Sequence, residues 1–208
     1  TVAKAVAKEL GFSCLDTCAM YRAIAWQALQ NGVALDDEPA LGEIARTYDI
    51  AFGHVEGDPV PRRVFIGDTE VTDAIRTAEI DRAVSPVSAA PAVREALLDQ
   101  QRIGRAGDYV VEGRDIGTVV FPDAAVKVFL TASDEERAHR RVRPNADRGI
   151  GSIDYDEVLA DLRRRDAADS SRATAPLRAA DDAVRIDSTS HYIEEVIEQI
   201  CSLAREAR

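Results

Sequence analysis

Lysine is almost missing from this chain. Of its 26 basic residues only Lys4, Lys8 and Lys127 are lysines, so nearly every positive charge is carried by an arginine. Acidic residues outnumber basic ones by 37 to 26, a net charge of −11, so there is no overall basic surface and nucleic acid is excluded as a general partner. Cys14, Cys18 and Cys201 are odd in number and lack zinc-ligand spacing, which fits reduced thiols in a cytoplasmic protein. A Cys14–Cys18 redox pair is the sharper alternative, although it lacks the C-x-x-C spacing. The only histidines, His54, His139 and His191, are scattered along the sequence, so no His-based triad or metal cluster assembles. Aromatics are few, and Trp26 and Phe129 are expected in the core. No stretch approaches the ~18 consecutive apolar residues of a membrane span, and no charged-then-apolar leader is visible. Also missing is any polar lead-in. Val2, Ala5, Val6 and Leu10 recur at helical spacing from the first residues, with Lys4, Lys8 and Glu9 turned away, so the chain is expected to begin inside a helix.

What is present suits a globular domain. A length of 208 residues and a hydrophobic fraction of 46% allow one α/β domain with an elaboration, or two small domains. "FSCLD" reads as a short strand ending at Asp16, followed by a helix from Met20 to about Asn31 and another in "DDEPALGEIARTY". Residues 50–72 alternate apolar and polar in short runs broken by Gly, Asp and Pro, the pattern of an antiparallel meander. Two helices follow, the second opened by Pro91. "DYVVEG" and "AVKVFLTAS" do not alternate cleanly and fit strands buried on both faces of a parallel sheet. "SDEERAHRRV" is helical, "RPNADRGIGS" a loop, "DYDEVLADLRRRDAADSS" a long helix, "AVRID" a last strand and "SHYIEEVIEQICSLAREA" a closing helix. Strand and helix thus alternate around one β-rich insertion, which predicts an α/β fold with a parallel sheet covered on both faces.

In such sheets ligands bind beyond the carboxyl ends of the strands. Asp16-Thr17 and then Tyr21-Arg22 follow the first strand. Glu112-Gly113-Arg114-Asp115 follows "YVV", and Thr131-Ala132-Ser133 leads toward Arg137, Arg140 and Arg141. Arginine reads phosphate through a planar fork of donors and keeps its charge. Arginines are dense over 137–148 and 163–178, which fits either compositional bias or local capture of a small anion. Arg165, Asp169 and Arg172 share one helical face by spacing, where a solvated ion pair is the plain alternative to a site.

Taken in order, "LDTCAMYRA", "SPVSAAPAVREALLDQQR", "VVEGRDIGTVVFPDAAVKVFLTASDEERAHRR" and "RRRDAADSSRATAPLRAADDAVRIDST" resemble the bacterial cytidylate (CMP) kinases over the whole chain. The resemblance implies a P-loop nucleoside-monophosphate kinase fold, an α/β three-layer domain over 1–208 with a β-containing monophosphate-binding insert at 45–85 and a LID at 141–153. In that family "TVAKA" follows a G-x-x-x-x-G-K-[ST] loop, so an upstream strand and phosphate loop are expected. The implied reaction moves the ATP γ-phosphoryl group to CMP or dCMP, with Mg²⁺ bridging the donor phosphates and no protein ligand for it named. By the same resemblance Arg22 and Arg114 bind the acceptor phosphate. Ser85, Arg94, Asp115 and Arg172 read the cytosine, and Arg165 and Asp169 hold the ribose. Asp16, Thr17, Tyr21 and Gly113 complete the acceptor site. Arg22, Arg114, Arg137, Arg141 and Arg165 are the expected catalytic arginines, and Arg137, Arg141, Arg143 and Arg148 close over ATP. A cytoplasmic monomer with nucleotide partners is implied. A related kinase acting on UMP or AMP, or a nucleotide-binding module without catalysis, is the rival reading.

One departure stands out, because Cys18 occupies a position where the resembling motif "DTGAMYR" has glycine. A positive φ there would strain cysteine, whereas an ordinary helical φ would accept it. Cys18→Gly is therefore expected to change apparent CMP affinity by less than about threefold in titration calorimetry, and a tenfold gain would contradict tolerance.

Overall fold

Alanine dominates the helix at the centre of the molecule, and that composition lets other elements approach it from all sides. The computed structural model describes residues 1–102, 107–148 and 154–207, apart from the side chains of 143–148. After α1 (Val2–Leu10), strand β1 (Ser13–Asp16) hands directly to α2 (Thr17–Gln30). Asp16 makes the junction: its carboxylate accepts the Ala19 N–H at 3.1 Å, which satisfies one of the donors that a helix start leaves unpaired. Met20, Ala23, Ile24, Ala25 and Ala28 of α2 are all fully buried, so this helix is enclosed rather than amphipathic.

Around α2 pack α3 (Glu38–Thr47), α4 (Ala78–Ala89) and α5 (Pro91–Arg102). Asp37 and Thr77 cap α3 and α4 through side-chain oxygens, and Pro91 opens α5 as its sequence position predicts. The expected meander is present as β2 (Ile50–Gly53), β3 (Arg63–Ile66) and β4 (Thr69–Glu70), antiparallel in the order β2-β3-β4. Val64 and Ile66 point from it into the core beside Ile75 and Val71.

The remaining strands form two parallel pairs. β1 pairs with β5 (Tyr109–Glu112), bringing Asp16 opposite Glu112, and β6 (Val128–Thr131) pairs with β7 (Val184–Asp187). A cleft of about 1650 Å³, lined by β5, β6, α1 and α8 (Ile193–Glu206), separates them. One continuous sheet buried on both faces was the expectation. Instead Leu130 of β6, which lines the open cleft, is 40% exposed, and Val184 of β7 is 38% exposed.

The helical layer beside β6–β7 also differs at one place. α6 runs Asp134–Arg148, six residues past the predicted stop, so the backbone of 143–148 is helical rather than a loop. Pro144 explains the early stop in the reading, yet a proline removes only its own N–H bond and a helix can pass through it. Ser133 caps α6 by accepting the Glu136 N–H at 3.2 Å, and α7 (Tyr155–Ser171) is capped by Asp154. The expected LID at 141–153 lies largely outside the described residues.

The α3–α5 contact depends on Gly42. A Cβ at that position would meet the Ala92 Cβ at 2.7 Å, and neither backbone can yield without moving its helix. Gly42→Val is expected to cost about 1–3 kcal/mol of stability. Urea denaturation reads this as a lowered midpoint, and an unchanged midpoint would contradict the close packing.

Candidate active site

Backbone geometry delivers the central residues of the site. β5 ends at Glu112, and Gly113 lets the chain pass hard against the start of α2, where the Thr17 hydroxyl donates to the Glu112 carbonyl at 2.8 Å. A Cβ on Gly113 would collide with the Thr17 hydroxyl and with the Ile116 side chain, so only glycine fits. Arg114 and Asp115 follow, and then a five-residue π-helical turn, Ile116–Val120. Arg102 of α5 closes that turn by donating to the Val119 and Val120 carbonyls at 2.7 and 2.8 Å. Single π turns recur where a side chain must be re-aimed, and here the turn aims Asp115 inward.

Asp115 meets Arg94 of α5 in a buried ion pair, with side chains only 6% and 8% exposed. The Arg94 guanidinium also lies 5.3 Å over the Tyr21 ring and donates to the Ser88 carbonyl at 3.0 Å. Arg172, at the C-terminal end of α7, donates to the same Ser88 carbonyl at 3.2 Å. Its Nη2 is buried and has no hydrogen-bond partner among the described residues, although the Asp169 carboxylate lies 3.4 Å away. Burial, with the Arg94 charge beside it, pulls the Arg172 guanidinium below its usual range, while Asp169 opposes that shift. A buried donor without an acceptor is costly, and a ligand oxygen would relieve it.

A second set of arginines is arranged in pairs on shared carboxylates. Asp169 lies 3.1 Å from Arg114, and Asp166 lies 3.4 Å from Arg114 while also bonding Arg137. Asp81 of α4 bonds Arg22 through one oxygen and Arg141 through the other, the latter at 3.2 Å. Arg165 differs: among the described residues it has no ion pair within 4 Å. Burial, together with the charges of Arg22 and Arg114, lowers its pKa, against an opposing effect from Asp81.

Two cavities meet here. A pocket of about 50 Å³ is lined by Thr17, Cys18, Tyr21, Arg22, Ser85 and Arg94, and also by Arg114, Asp115, Arg165, Asp169 and Arg172. Asp16 and Gly113 support it without lining it. The large cleft is lined by Glu112, Gly113, Arg114 and Arg137, so Arg114 stands at the border of both. Arg141 reaches the site only through Asp81, and the side chains of Arg143 and Arg148 lie outside the described residues.

A model of the cytidylate kinase family matches residues 1–206. The chain belongs to the cytidylate kinase family. A cytidylate kinase of Saccharophagus degradans is 46% identical over 206 residues, covering 99% of this chain and 91% of that one. One from Pseudomonas aeruginosa is 47% identical over 201 residues, 96% of this chain and 87% of its own. A bifunctional pantoate ligase/cytidylate kinase of Trichormus variabilis is 47% identical over 201 residues, and this chain spans only 38% of it.

The geometry also shows what sequence reasoning overlooked in this cytidylate kinase relative. Ser88 was not selected, although it follows the selected Ser85 at i+3 on α4 and so shares its face. Asp81 carries no sequence signal beyond being acidic near a helix start. Glu112, opposite Asp16, is held above the usual carboxylate range by burial and then by the Asp16 charge. Cys18 lies within α2 and does not take a positive φ, which removes the strain its replacement of glycine raised. Cys18 is exposed at the pocket wall, and desolvation by the groups around it, followed by the Asp16 charge, pushes its thiol up to about 11. Asp115→Ala would strand the buried Arg94 charge and is expected to cost about 3–5 kcal/mol. Urea denaturation tests this, and a loss below about 1 kcal/mol would contradict the buried pair.

Proposed function

We propose that this chain forms the acceptor-binding and transfer machinery of an ATP-dependent (d)CMP kinase. The observation that carries this is the gathering around one pocket of Arg22, Arg114 and Arg165, the last without an ion pair among the described residues, together with Arg94, Asp115 and Arg172. The first set suits a phosphate dianion and the second a polar, planar base. The 5′-phosphate of CMP or dCMP seats on Arg22, Arg114 and Arg165, with Asp169 toward the ribose. Cytosine offers an N4 amino donor beside O2 and N3 acceptors, so Asp115 suits the first and the Arg172 Nη2 donor suits the others. Arg94 orients Asp115, and Ser85 lines the same pocket. Uracil presents O4 where cytosine has its amino group, which sets acceptor against carboxylate and is worth about 2–4 kcal/mol of discrimination. The pocket is small because its own ion pairs fill it, so a nucleotide enters by replacing carboxylate contacts with its own.

In the transfer, an oxygen of the acceptor phosphate attacks the γ-phosphorus of ATP as the bond to the β–γ bridging oxygen breaks, leaving CDP or dCDP and ADP. Little covalent chemistry is asked of the protein; alignment and charge neutralisation carry the rate. Arg114, shared by pocket and cleft, lies where acceptor and donor phosphates would meet. Arg137 and Arg141 come from α6 on the donor side. Mg²⁺ is expected to accompany ATP, bound mainly by donor phosphates and water, and no residue of this chain is assigned to it. When bound, that ion would neutralise donor phosphate charge. No helix of the described residues is long and apolar enough to cross a membrane, and a cytoplasmic monomer is the setting we infer.

A coupled ADP-release assay on CMP, dCMP, UMP and AMP tests this reading. CMP and dCMP are expected to be preferred, and preference for UMP or AMP would overturn it. Arg114→Ala and Arg172→Ala should each lower kcat/KM for CMP by an amount equivalent to about 2–4 kcal/mol. Near-wild-type kinetics would show these roles misassigned.

A further inference from the structure

Asp81 lies behind the pocket rather than in it. Arg22 lines the pocket, whereas Asp81 does not. The Arg22 guanidinium is held on two sides: one Nη1 hydrogen goes to the Ile75 carbonyl at 2.9 Å, and Nη2 bonds the Asp81 carboxylate. A guanidinium has five N–H donors, so Nε–H and one hydrogen on each terminal nitrogen remain for a ligand. The other Asp81 oxygen takes Arg141 of α6 at 3.2 Å. Both carboxylate oxygens are therefore engaged, by residues of α2 and of α6, while the carboxylate itself belongs to α4.

We propose that Asp81 is a positioning residue that brackets Arg22 against the acceptor phosphate and couples that seat to the donor-side helix α6. This rests on the reading of Arg22 as an acceptor-phosphate contact. Arg22, Arg141 and Arg165 carry like charges in one region, and without a shared counter-charge they would spread apart before any ligand arrives. Fixing Arg22 in advance removes the rotamer entropy that a phosphate would otherwise have to freeze. A carboxylate inside the pocket would compete with phosphate for Arg22. One on the far side leaves the pocket-facing donors available.

Asp81→Asn preserves shape and removes the charge, and calorimetric titration of the native protein with CMP and with cytidine reads the result. CMP affinity is expected to fall about tenfold and cytidine affinity to hold within about twofold, because cytidine has no phosphate for Arg22 to meet. In an Arg22→Ala background, Asp81→Asn should change CMP affinity by less than about twofold, since its effect passes through Arg22. Tighter or unchanged CMP binding in Asp81→Asn would overturn the proposal, as would equal losses for cytidine or full additivity with Arg22→Ala. If Arg22→Ala itself left CMP affinity unchanged, the underlying assignment of Arg22 would fail. Loss in Arg22→Ala with an inert Asp81→Asn removes only the bracket.

Discussion

Carboxylates shared between arginines are the constraint on which this site depends. Gathering guanidiniums from α2, α5, α6 and α7 and from the turn after β5 would be prohibitive without counter-charge, because each is partly desolvated and each repels its neighbours. Asp81 joins Arg22 to Arg141, Asp166 joins Arg137 to Arg114, and Asp169 joins Arg114 to Arg172. The Ser88 carbonyl then links Arg172 to Arg94, which ends on Asp115. Each bracket fixes a side chain whose charge would otherwise roam. Arg165 is the exception, with no ion pair within 4 Å among the described residues.

The two parallel strand pairs set where these brackets can form. β1 and β5 end side by side at Asp16 and Glu112, and the small pocket is lined by residues that follow those ends, among them Thr17, Cys18, Arg114 and Asp115, together with residues of α4, α5 and α7. The antiparallel meander contributes through Ile75, packed beneath it, whose carbonyl holds Arg22. Arg114 touches both the small pocket and the large cleft, so one guanidinium spans acceptor and donor sides. Transfer between phosphates needs such a shared cation more than it needs a base.

Much of this was readable from residue order alone. Gly113 and Pro91 announced a close approach and a helix start, because each residue type has a narrow set of backbone uses. The cap that Asp16 supplies went unread, because the helix start was read at Met20 rather than at Thr17. That Arg22 and Arg114 share one pocket was readable because a parallel sheet brings its strand ends to one edge. Burial of β6 and β7 was not readable, since an apolar strand looks the same whether its neighbour is a strand or a cleft. The run of α6 through Pro144 was hidden because proline weakens a helix without always ending it. Asp81 and Ser88 act across long sequence separations on partners that no local pattern indicates.

A crystal structure of the protein with CMP bound measures the central claim directly. The account predicts the pyrimidine ring between Asp115 and Arg172 and the 5′-phosphate against Arg22, Arg114 and Arg165, with Asp81 still holding Arg22 from its far side. Density for the nucleotide elsewhere, with no phosphate on those three arginines, would contradict it.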